Sequence, residues 1–198
     1  GQFTSALSAL HINHNLSPSA QQWQAFCQQI CADWQVSLHT EAIEVSASGS
    51  IETAARNSRY QAFRELLQAD ELLLMAHHLD DQIETVLFRL TRGAGAQGLA
   101  GIPAQRQLGS GRLLRPLLQY GRAELAAYAA MHQLAWQEDE SNSDQQHDRN
   151  YLRHQVLPQI EKRWPDYRQS WRKSLALLSE NDDLQKQLGA IDLRDATT

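Results

Sequence analysis

The sequence predicts an α/β fold, in which helices cover a parallel sheet, followed by a helical C-terminal extension. Short apolar segments alternate with longer segments of helical periodicity, as in strand–helix–strand units. Ionisable residues follow directly after apolar segments, where parallel strands end and ligands bind. Strand-like segments then stop. We therefore expect an α/β domain over residues 1–147 and a helical extension over residues 148–198.

The composition is ordinary for a globular domain, with 198 residues, 42% of them hydrophobic and 21% charged. The net charge of −5 does not indicate a nucleic-acid binder, although an acidic protein can carry a local basic face. No apolar run approaches the roughly 20 residues of a membrane helix. Cys27 and Cys31 lie in a helical pattern, so we predict buried thiols and a reducing cytoplasm.

The first elements are predicted from periodicity and end signals. A strand lies within residues 5–14, and a helix follows with Ser17 as its cap and Pro18 in its first turn. Its apolar face runs from Trp23 to Trp34. Residues 36–45 alternate as a second strand.

A helix over residues 51–67 and a buried strand over residues 72–76 come next, and the helix after them should end near Thr91. A loop with four glycines, residues 93–103, can approach a ligand or a nucleic-acid backbone closely. Residues 112–118 are a further strand candidate.

The last part of the chain is predicted to be helical. A helix over residues 122–133 should turn Leu125, Tyr128 and Ala129 inward, with His132 left open. An acidic loop precedes a helix from Asp148 that either ends near Pro158 or continues to Trp164. A long helical pattern from Asp166 carries three cationic residues, which are Arg168, Arg172 and Lys173.

Residues 77–85 carry the densest chemistry, because two histidines and three acidic residues fill one strand-to-helix turn. Of the adjacent carboxylates Asp80 and Asp81, one can bind Mg²⁺, which favours one or two carboxylates plus phosphate oxygens. Glu84 lies on the same helix face as Asp81 and can hold an ammonium group, and His77 can donate to a phosphate. The structural alternative is an N-capping aspartate with solvated neighbours.

Other candidate residues lie outside this turn. His11 and His14 leave the first strand at its carboxyl end, so a parallel sheet would bring them to the edge that carries His77. Arg56 either pairs with Glu52, one turn earlier, or faces a phosphate.

Five arginines flank the glycine loop and the acidic loop. A guanidinium suits phosphate groups, whereas the ordinary alternative is solvation or pairing with nearby carboxylates. These arginines are Arg92, Arg112, Arg115, Arg149 and Arg153. Neither a Walker loop nor a dinucleotide fingerprint is present.

Residues 77–85, followed by Arg89, Arg92-Gly93 and Gly98-Leu99, closely resemble the tRNA(Ile)-lysidine synthetase family of PP-loop (N-type) ATP pyrophosphatases. Five further segments resemble the family in the same order, namely residues 11–17, 52–60, 115–118, 138–142 and 148–153. The resemblance implies an adenine nucleotide α-hydrolase-like (Rossmann-like) fold.

The resemblance also implies an activity, in which ATP adenylates the wobble cytidine of tRNA(Ile) with a CAU anticodon and L-lysine then displaces AMP. ATP and Mg²⁺ are the implied cofactors, and a homodimer is left open. By this likeness Asp81 and Asp80 would serve the metal and the lysine, and Glu84 would help to hold the lysine. His77, His11, His14 and Arg56 would face ATP, and the five arginines would contact the tRNA or the adenylate.

One segment of the family pattern is not in this sequence. The Ser-Gly-Gly-x-Asp-Ser loop, which wraps the pyrophosphate, precedes the segment that resembles residues 11–17. We therefore expect a catalytic-domain fragment with weak or no activity by itself. The alternatives are a related PP-loop tRNA thiolase or amidating synthetase, and a non-catalytic tRNA-binding module.

Overall fold

The computed structural model of the chain describes residues 7–15, 17–43, 51–144 and 147–195. The chain forms two compact units, one of Gly1–Glu71 with Gln107–Arg112 and one of Leu72–Arg106 with Leu113–Thr198. The side chain of Glu52, one of the two alternative partners of Arg56, lies outside the described part. The domain boundary at residue 147 stays a prediction.

The first unit contains a strand–helix–strand motif that confirms the predicted parallel arrangement. Its elements are β1 (Ser8–Asn13), α1 (Ala20–Asp33), β2 (Ser37–Ala42) and α2 (Ile51–Leu66). β1 and β2 pair in parallel, from Ser8 opposite Ser37 to Asn13 opposite Ala42. Parallel neighbours need a long crossover, and α1 supplies it.

Helix α1 differs from its prediction at both ends. It starts at Ala20 with Ser19 as the cap residue, so the predicted cap at Ser17 is wrong. The Ser17 hydroxyl instead accepts a hydrogen bond from Ser19 N at 3.0 Å, which stabilises a turn before the helix. Trp34, predicted on the inner face, follows the last helical residue and is 57% exposed.

A second sheet holds β3 (Leu72–Leu74), β5 (Gly111–Leu114) and β4 (Gln105–Leu108), in that order. Arg112 N donates to Glu71 O and Met75 N donates to Leu114 O, so the pairing advances along β3 and β5 in the same direction and is parallel. Only two residues join β4 to β5, which requires an antiparallel hairpin. At its tip Gly109 has φ +59°, and a Cβ there would lie 2.7 Å from Arg64 O, so the turn requires glycine.

The strand predicted over residues 72–76 was expected to be buried, and this prediction is wrong for one of its two faces. Leu72 and Leu74 are 50% and 55% exposed, while Leu73 and Met75 are half-buried. Alternating residues of a strand point to opposite faces, so the two exposed leucines share one face.

The second unit is mainly helical. Its helices are α3 (Leu79–Leu90), α4 (Ala96–Leu99), α5 (Arg122–Met131), α6 (Asp148–Tyr151), α7 (Leu157–Arg163) and α8 (Tyr167–Asp195), with a 3₁₀ turn at Glu140–Ser143. A π-helical segment, Leu152–Val156, joins α6 to α7, so the helix that begins at Asp148 continues past Pro158. Within the described ranges, no helix is both long enough and apolar enough to cross a membrane.

The core of this unit fixes the start of α3 against α7 and α8. Leu79, Ile83, Leu157 and Tyr167 form a buried cluster. On α5 the predicted inner face is wrong for Tyr128, which is 56% exposed, and His132, whose orientation the sequence left open, is exposed as well. Their rings lie 4.3 Å apart and pack on each other at the surface.

Candidate functional site

The first turn of α3 presents Asp80 and Asp81 differently. The Asp81 Oδ2 atom accepts a hydrogen bond from the backbone N of His78, the residue before the helix, at 2.9 Å. His78 is therefore the N-cap residue, and Asp81, three residues later, supplies the carboxylate of a capping box, so the alternative of an N-capping aspartate is wrong. A carboxylate in this first turn is favoured by the helix dipole. The Asp81 Oδ1 atom has no hydrogen-bond partner within the described part of the chain, so one oxygen stays available.

Asp80 is bound through both carboxylate oxygens. Its Oδ2 atom accepts from Arg122 N at 2.7 Å, and its Oδ1 atom accepts from Arg168 Nε at 2.9 Å. Burial opposes ionisation of this carboxyl, but the hydrogen bonds from Arg122 and Arg168 outweigh it and lower the pKa of Asp80. Asp80 is therefore an ionised group held in one orientation.

His78 lies beside both aspartates without a hydrogen bond from its buried ring nitrogen. Its Nδ1 atom is 3.8 Å from Asp80 Oδ2 and 3.6 Å from Asp81 Oδ2. These distances are longer than an N–H···O hydrogen bond. The His78 ring therefore lies next to two carboxylates without a hydrogen bond to either through Nδ1.

Glu84 is almost fully buried, at 1% exposure, and forms a two-pronged ion pair with Arg153. Arg153 Nε donates to Oε1 at 2.7 Å, and Nη2 donates to Oε2 at 3.0 Å. This bidentate arrangement is the strongest geometry for a guanidinium and a carboxylate. Hydrogen bonding to Glu84 raises the pKa of Arg153 against the effect of burial.

Arg149, one turn before Arg153, contacts the same helix. Its Nη2 atom donates to Thr85 Oγ1 at 2.7 Å, and Thr85 is 5% exposed. The two predicted phosphate-binding arginines therefore contact neighbouring positions of α3.

His77 is joined to Arg115, which is 4% exposed. Arg115 Nε donates to His77 Nδ1 at 3.3 Å, and its Nη1 donates to Pro103 O at 2.7 Å. An Nδ1 atom that accepts a hydrogen bond leaves the ring proton on Nε2, so this contact makes Nε2 the donor of the His77 ring.

The glycine loop is hydrogen-bonded to α3 by two side chains of the resembling segment, Gln82 and Arg89, to which the sequence analysis gave no role. Gln82 Nε2 donates to Ile102 O at 2.8 Å, and Ile102 N donates to Gln82 Oε1 at 2.6 Å. Arg89 Nη1 donates to the carbonyl oxygens of Gly98 and Gly101. Gly101, at φ +78°, passes so close to Gln82 Oε1 that a Cβ would overlap it.

Two predicted phosphate-binding arginines are exposed. Arg92 lies over the Phe88 ring, with its guanidinium carbon 5.1 Å from the ring centroid. Arg112 is on β5. Both are accessible to a large anionic partner.

The predicted ATP-binding residues His11, His14 and Arg56 belong to the first unit. Arg59 Nε donates to His14 Nε2 at 3.2 Å, and burial, with positive charge on Arg59 and His11, lowers the pKa of His14. Burial also lowers the pKa of His11. Arg56 is exposed and lies over the Tyr60 ring. That these residues share a cleft with His77 stays a prediction.

The structure brings together more groups around α3 than the sequence predicted. Thr85 and Gln82 lie in the motif of residues 77–85, but the sequence did not indicate which residues they contact. Arg168 was predicted only to be one of three cationic residues on a helix. The backbone N of Arg122 carried no sequence signal at all, since any residue except proline supplies this donor.

The described residues contain no group of three or more His, Cys, Asp and Glu side chains that could hold a metal ion by themselves. Mg²⁺ does not require one, because substrate phosphates and water usually complete its six ligands. The uncommitted oxygen of Asp81 fits such a site, whereas each oxygen of Asp80 already accepts a hydrogen bond.

A family model and individual relatives place the chain in the same protein family. The family model of the PP-loop domain matches residues 2–160. The chain is 51% identical over 189 residues to the tRNA(Ile)-lysidine synthase of Pseudomonas aeruginosa. The matched region covers 96% of this chain and 43% of that protein. It is 48% identical over 188 residues to the enzyme of the same name from Serratia proteamaculans, covering 94% and 43%. The chain thus spans less than half the length of these curated relatives.

The fold also resembles a solved structure. The U34-tRNA thiolase NcsA from Methanococcus maripaludis, with its [4Fe-4S] cluster, matches with a TM-score of 0.63 and 14% identity over 88% of this chain and 62% of that chain. This likeness concerns the fold alone. Cys27 and Cys31 lie half-buried on α1, and burial, with the neighbouring thiol, raises the pKa of Cys27, which disfavours a reactive thiolate.

Proposed function

The chain belongs to the PP-loop domain family, and from this we propose that it contributes the catalytic part of a tRNA(Ile)-lysidine synthase. The observation that carries the proposal is the 51% identity to the Pseudomonas aeruginosa enzyme along almost the whole of this chain. The enzyme is thus an ATP-dependent ligase that forms a carbon–nitrogen bond on a tRNA base.

The proposed reaction has two steps. The C2 oxygen of the wobble cytidine in tRNA(Ile) with a CAU anticodon attacks the α-phosphorus of ATP, and pyrophosphate leaves. The ε-amine of L-lysine then attacks C2, loses a proton, and displaces AMP with the former C2 oxygen. Both steps move negative charge onto phosphate, so cationic groups near the phosphates would stabilise the transition states.

Asp81 is the residue that we assign to Mg²⁺, with Asp80 beside it. The support is the Asp81 oxygen that has no hydrogen-bond partner among the described residues. Bound Mg²⁺ would supply charge neutralisation at the phosphate oxygens. Asp80, bound through both oxygens, is better suited to orient neighbouring groups than to enter the metal shell.

Glu84 is proposed to hold the ammonium group of the substrate lysine. Arg153 donates to one lone pair on each carboxylate oxygen of Glu84. Each of these oxygens has a second lone pair, which can accept from another donor. Access to this 1% exposed group requires Arg153 to move or to share it. His77 is proposed to donate Nε2–H to a phosphate, since Arg115 occupies its Nδ1.

On the nucleotide side we assign His11, His14 and Arg56 to ATP. Of the five arginines, Arg92 and Arg112 suit tRNA best because they are exposed. Arg115, Arg149 and Arg153 carry internal hydrogen bonds and suit an adenylate enclosed in the site. We further propose a cytoplasmic enzyme, because its tRNA substrate is there, and a homodimer as its assembly.

The proposal is tested with protein expressed from its complete natural reading frame, ATP, radiolabelled lysine and a tRNA(Ile) transcript with a CAU anticodon. We expect one label per tRNA, with AMP and pyrophosphate formed in equal amounts. A transcript with uridine at the wobble position should accept no label.

Three results would contradict the proposal in different ways. Transfer of label to the uridine transcript would exclude the assigned base. Transfer of sulfur in place of lysine would favour the thiolase alternative. Tight tRNA binding without ATP-dependent pyrophosphate release would favour a non-catalytic tRNA-binding module.

A further inference from the structure

Arg168 at the start of α8 reaches the candidate site from a part of the chain that carries no family motif. Its Nε atom donates to Asp80 Oδ1 at 2.9 Å, across 88 positions of sequence. Its Nη1 atom donates to Glu161 Oε1, and its guanidinium carbon lies 4.7 Å from the centroid of the Tyr167 ring. Three neighbours therefore fix one guanidinium.

Packing holds both ends of the Arg168–Asp80 pair in place. Tyr167, directly before Arg168, is 3% exposed and belongs to the core cluster. Leu79, directly before Asp80, is 4% exposed and belongs to the same cluster. The pair thus differs from a mobile surface ion pair, whose partners must lose side-chain freedom to meet.

The contact between Arg168 and Asp80 makes the two neighbouring aspartates, Asp80 and Asp81, differ in how many of their oxygens are occupied. Arg168 and the backbone N of Arg122 each occupy one oxygen of Asp80, which fixes its carboxylate plane. Asp81 accepts only from His78 N and keeps an oxygen free among the described residues. We infer that Arg168 is a positioning residue, which holds the Asp80 carboxylate in place and so leaves Asp81 as the aspartate that serves the reactants.

Loss of Arg168 would release Asp80 toward the donors that remain nearby. His78 Nδ1, which lacks a hydrogen bond, is 3.8 Å from Asp80 Oδ2. Asp80 would then compete with Asp81 for His78 and for any cation. This inference rests on the proposed function, because the task of Asp81 is defined by it.

The test compares Arg168→Ala with Arg172→Ala in the lysine-transfer assay, using protein from the complete reading frame. Arg172 lies one turn further along α8, and its one hydrogen bond to a described residue is a 3.4 Å contact with Gln119 O, so both variants lose the same charge from the same helix. We expect Arg168→Ala to lower kcat by about 10- to 100-fold, as for a lost supporting partner, with the KM for tRNA unchanged. Arg172→Ala should stay near wild type.

Two further variants separate positioning from folding. Arg168→Lys keeps the charge and one donor, so it should recover part of the lost kcat. Arg168→Ala in an Asp80→Asn background should cost little more than Asp80→Asn alone, since Arg168 acts through Asp80. Thermal unfolding of each variant shows whether the fold is kept.

Failure of this inference looks different from failure of the proposed function. Equal activity of Arg168→Ala and Arg172→Ala, or multiplicative losses in the double variant, would overturn the role of Arg168. Failure of Arg168→Lys to recover any kcat in a folded protein would overturn it too. Absence of lysine transfer in the wild-type protein would instead overturn the proposed function.

Discussion

Arg153 closes over Glu84 with two parallel hydrogen bonds, of 2.7 Å from Nε and 3.0 Å from Nη2, and leaves the carboxylate 1% exposed. The pair joins the π-helical segment to α3, so a residue of the α6–α7 region completes the environment of the candidate site. Since a buried charge needs its partner, this contact is structural whatever else it does.

Arg153→Met should destabilise the protein by about 3 kcal/mol, because it leaves an unpaired carboxylate in the interior. The measurement is the free energy of unfolding in urea. Arg92→Met is the control, since Arg92 is exposed and should change stability by no more than about 0.5 kcal/mol. Adding Glu84→Gln to Arg153→Met should recover part of the loss, and equal losses for Arg153→Met and Arg92→Met would contradict the prediction.

Gly101→Ala should cost about 1–3 kcal/mol of stability, because an alanine Cβ would overlap Gln82 Oε1 and φ +78° is unfavourable for alanine. Gly95→Ala in the same loop should be close to neutral, since nothing lies within 4 Å of its Cβ position and its φ is −75°. Thermal unfolding of both variants checks the difference. Equal stability of the two variants would contradict the prediction, because it would show that the Gln82 side chain moves aside at little cost.

Stability should rise with pH up to about the ordinary histidine pKa of 6.5 and then level off. Burial and the nearby positive charges lower the pKa of His14 in the folded state, so the unfolded chain binds more protons below this pH. Protonation would also remove the acceptor for Arg59 Nε. The free energy of unfolding in urea, measured for wild type and His14→Asn between pH 5 and 8, tests this. The variant should keep a smaller rise with pH, because the pKa of His11 is also lowered. Identical pH dependence of the two proteins would contradict the prediction.

Asp81→Asn should lower lysine transfer by about 100-fold or more while the protein stays folded. An asparagine keeps an oxygen that can accept from His78 N, so the helix cap survives while the negative charge is lost. Asp33→Asn is the matched control, because Asp33 is an exposed aspartate whose side chain accepts, among the described residues, from Gln29. Normal transfer by Asp81→Asn would remove the metal assignment.

The elements that follow from local pattern could be predicted well. The end of α3 lies at Leu90, beside the predicted Thr91, because helical periodicity and capping are encoded within a few residues. Strand β4 was missed because its residues Gln105–Leu108 are mostly polar and exposed, so no apolar alternation marks it. Apolar composition also predicted a buried β3, but it carries no information on which neighbour covers each face.

The candidate site shows the same division between local and distant contacts. The contact between Asp81 and His78 N joins residues three positions apart, so it follows from the position of Asp81 in the first turn of the helix. The partners of Asp80 and Glu84, by contrast, are arginines 88 and 69 positions away. Only the folded core around Leu79 and Tyr167 brings such residues together, and one sequence does not encode that meeting in a readable pattern.

The π-helical segment Leu152–Val156 determines where this stretch can lose a residue. A π turn arises when one extra residue is accommodated in a continuous helix. Deleting one residue of this turn would restore a regular helix, and Leu157 and Ile160 would still face Leu79 and Ile83. The same deletion within the regular turns of α7 would rotate the residues after it by about 100° and turn apolar side chains away from the core.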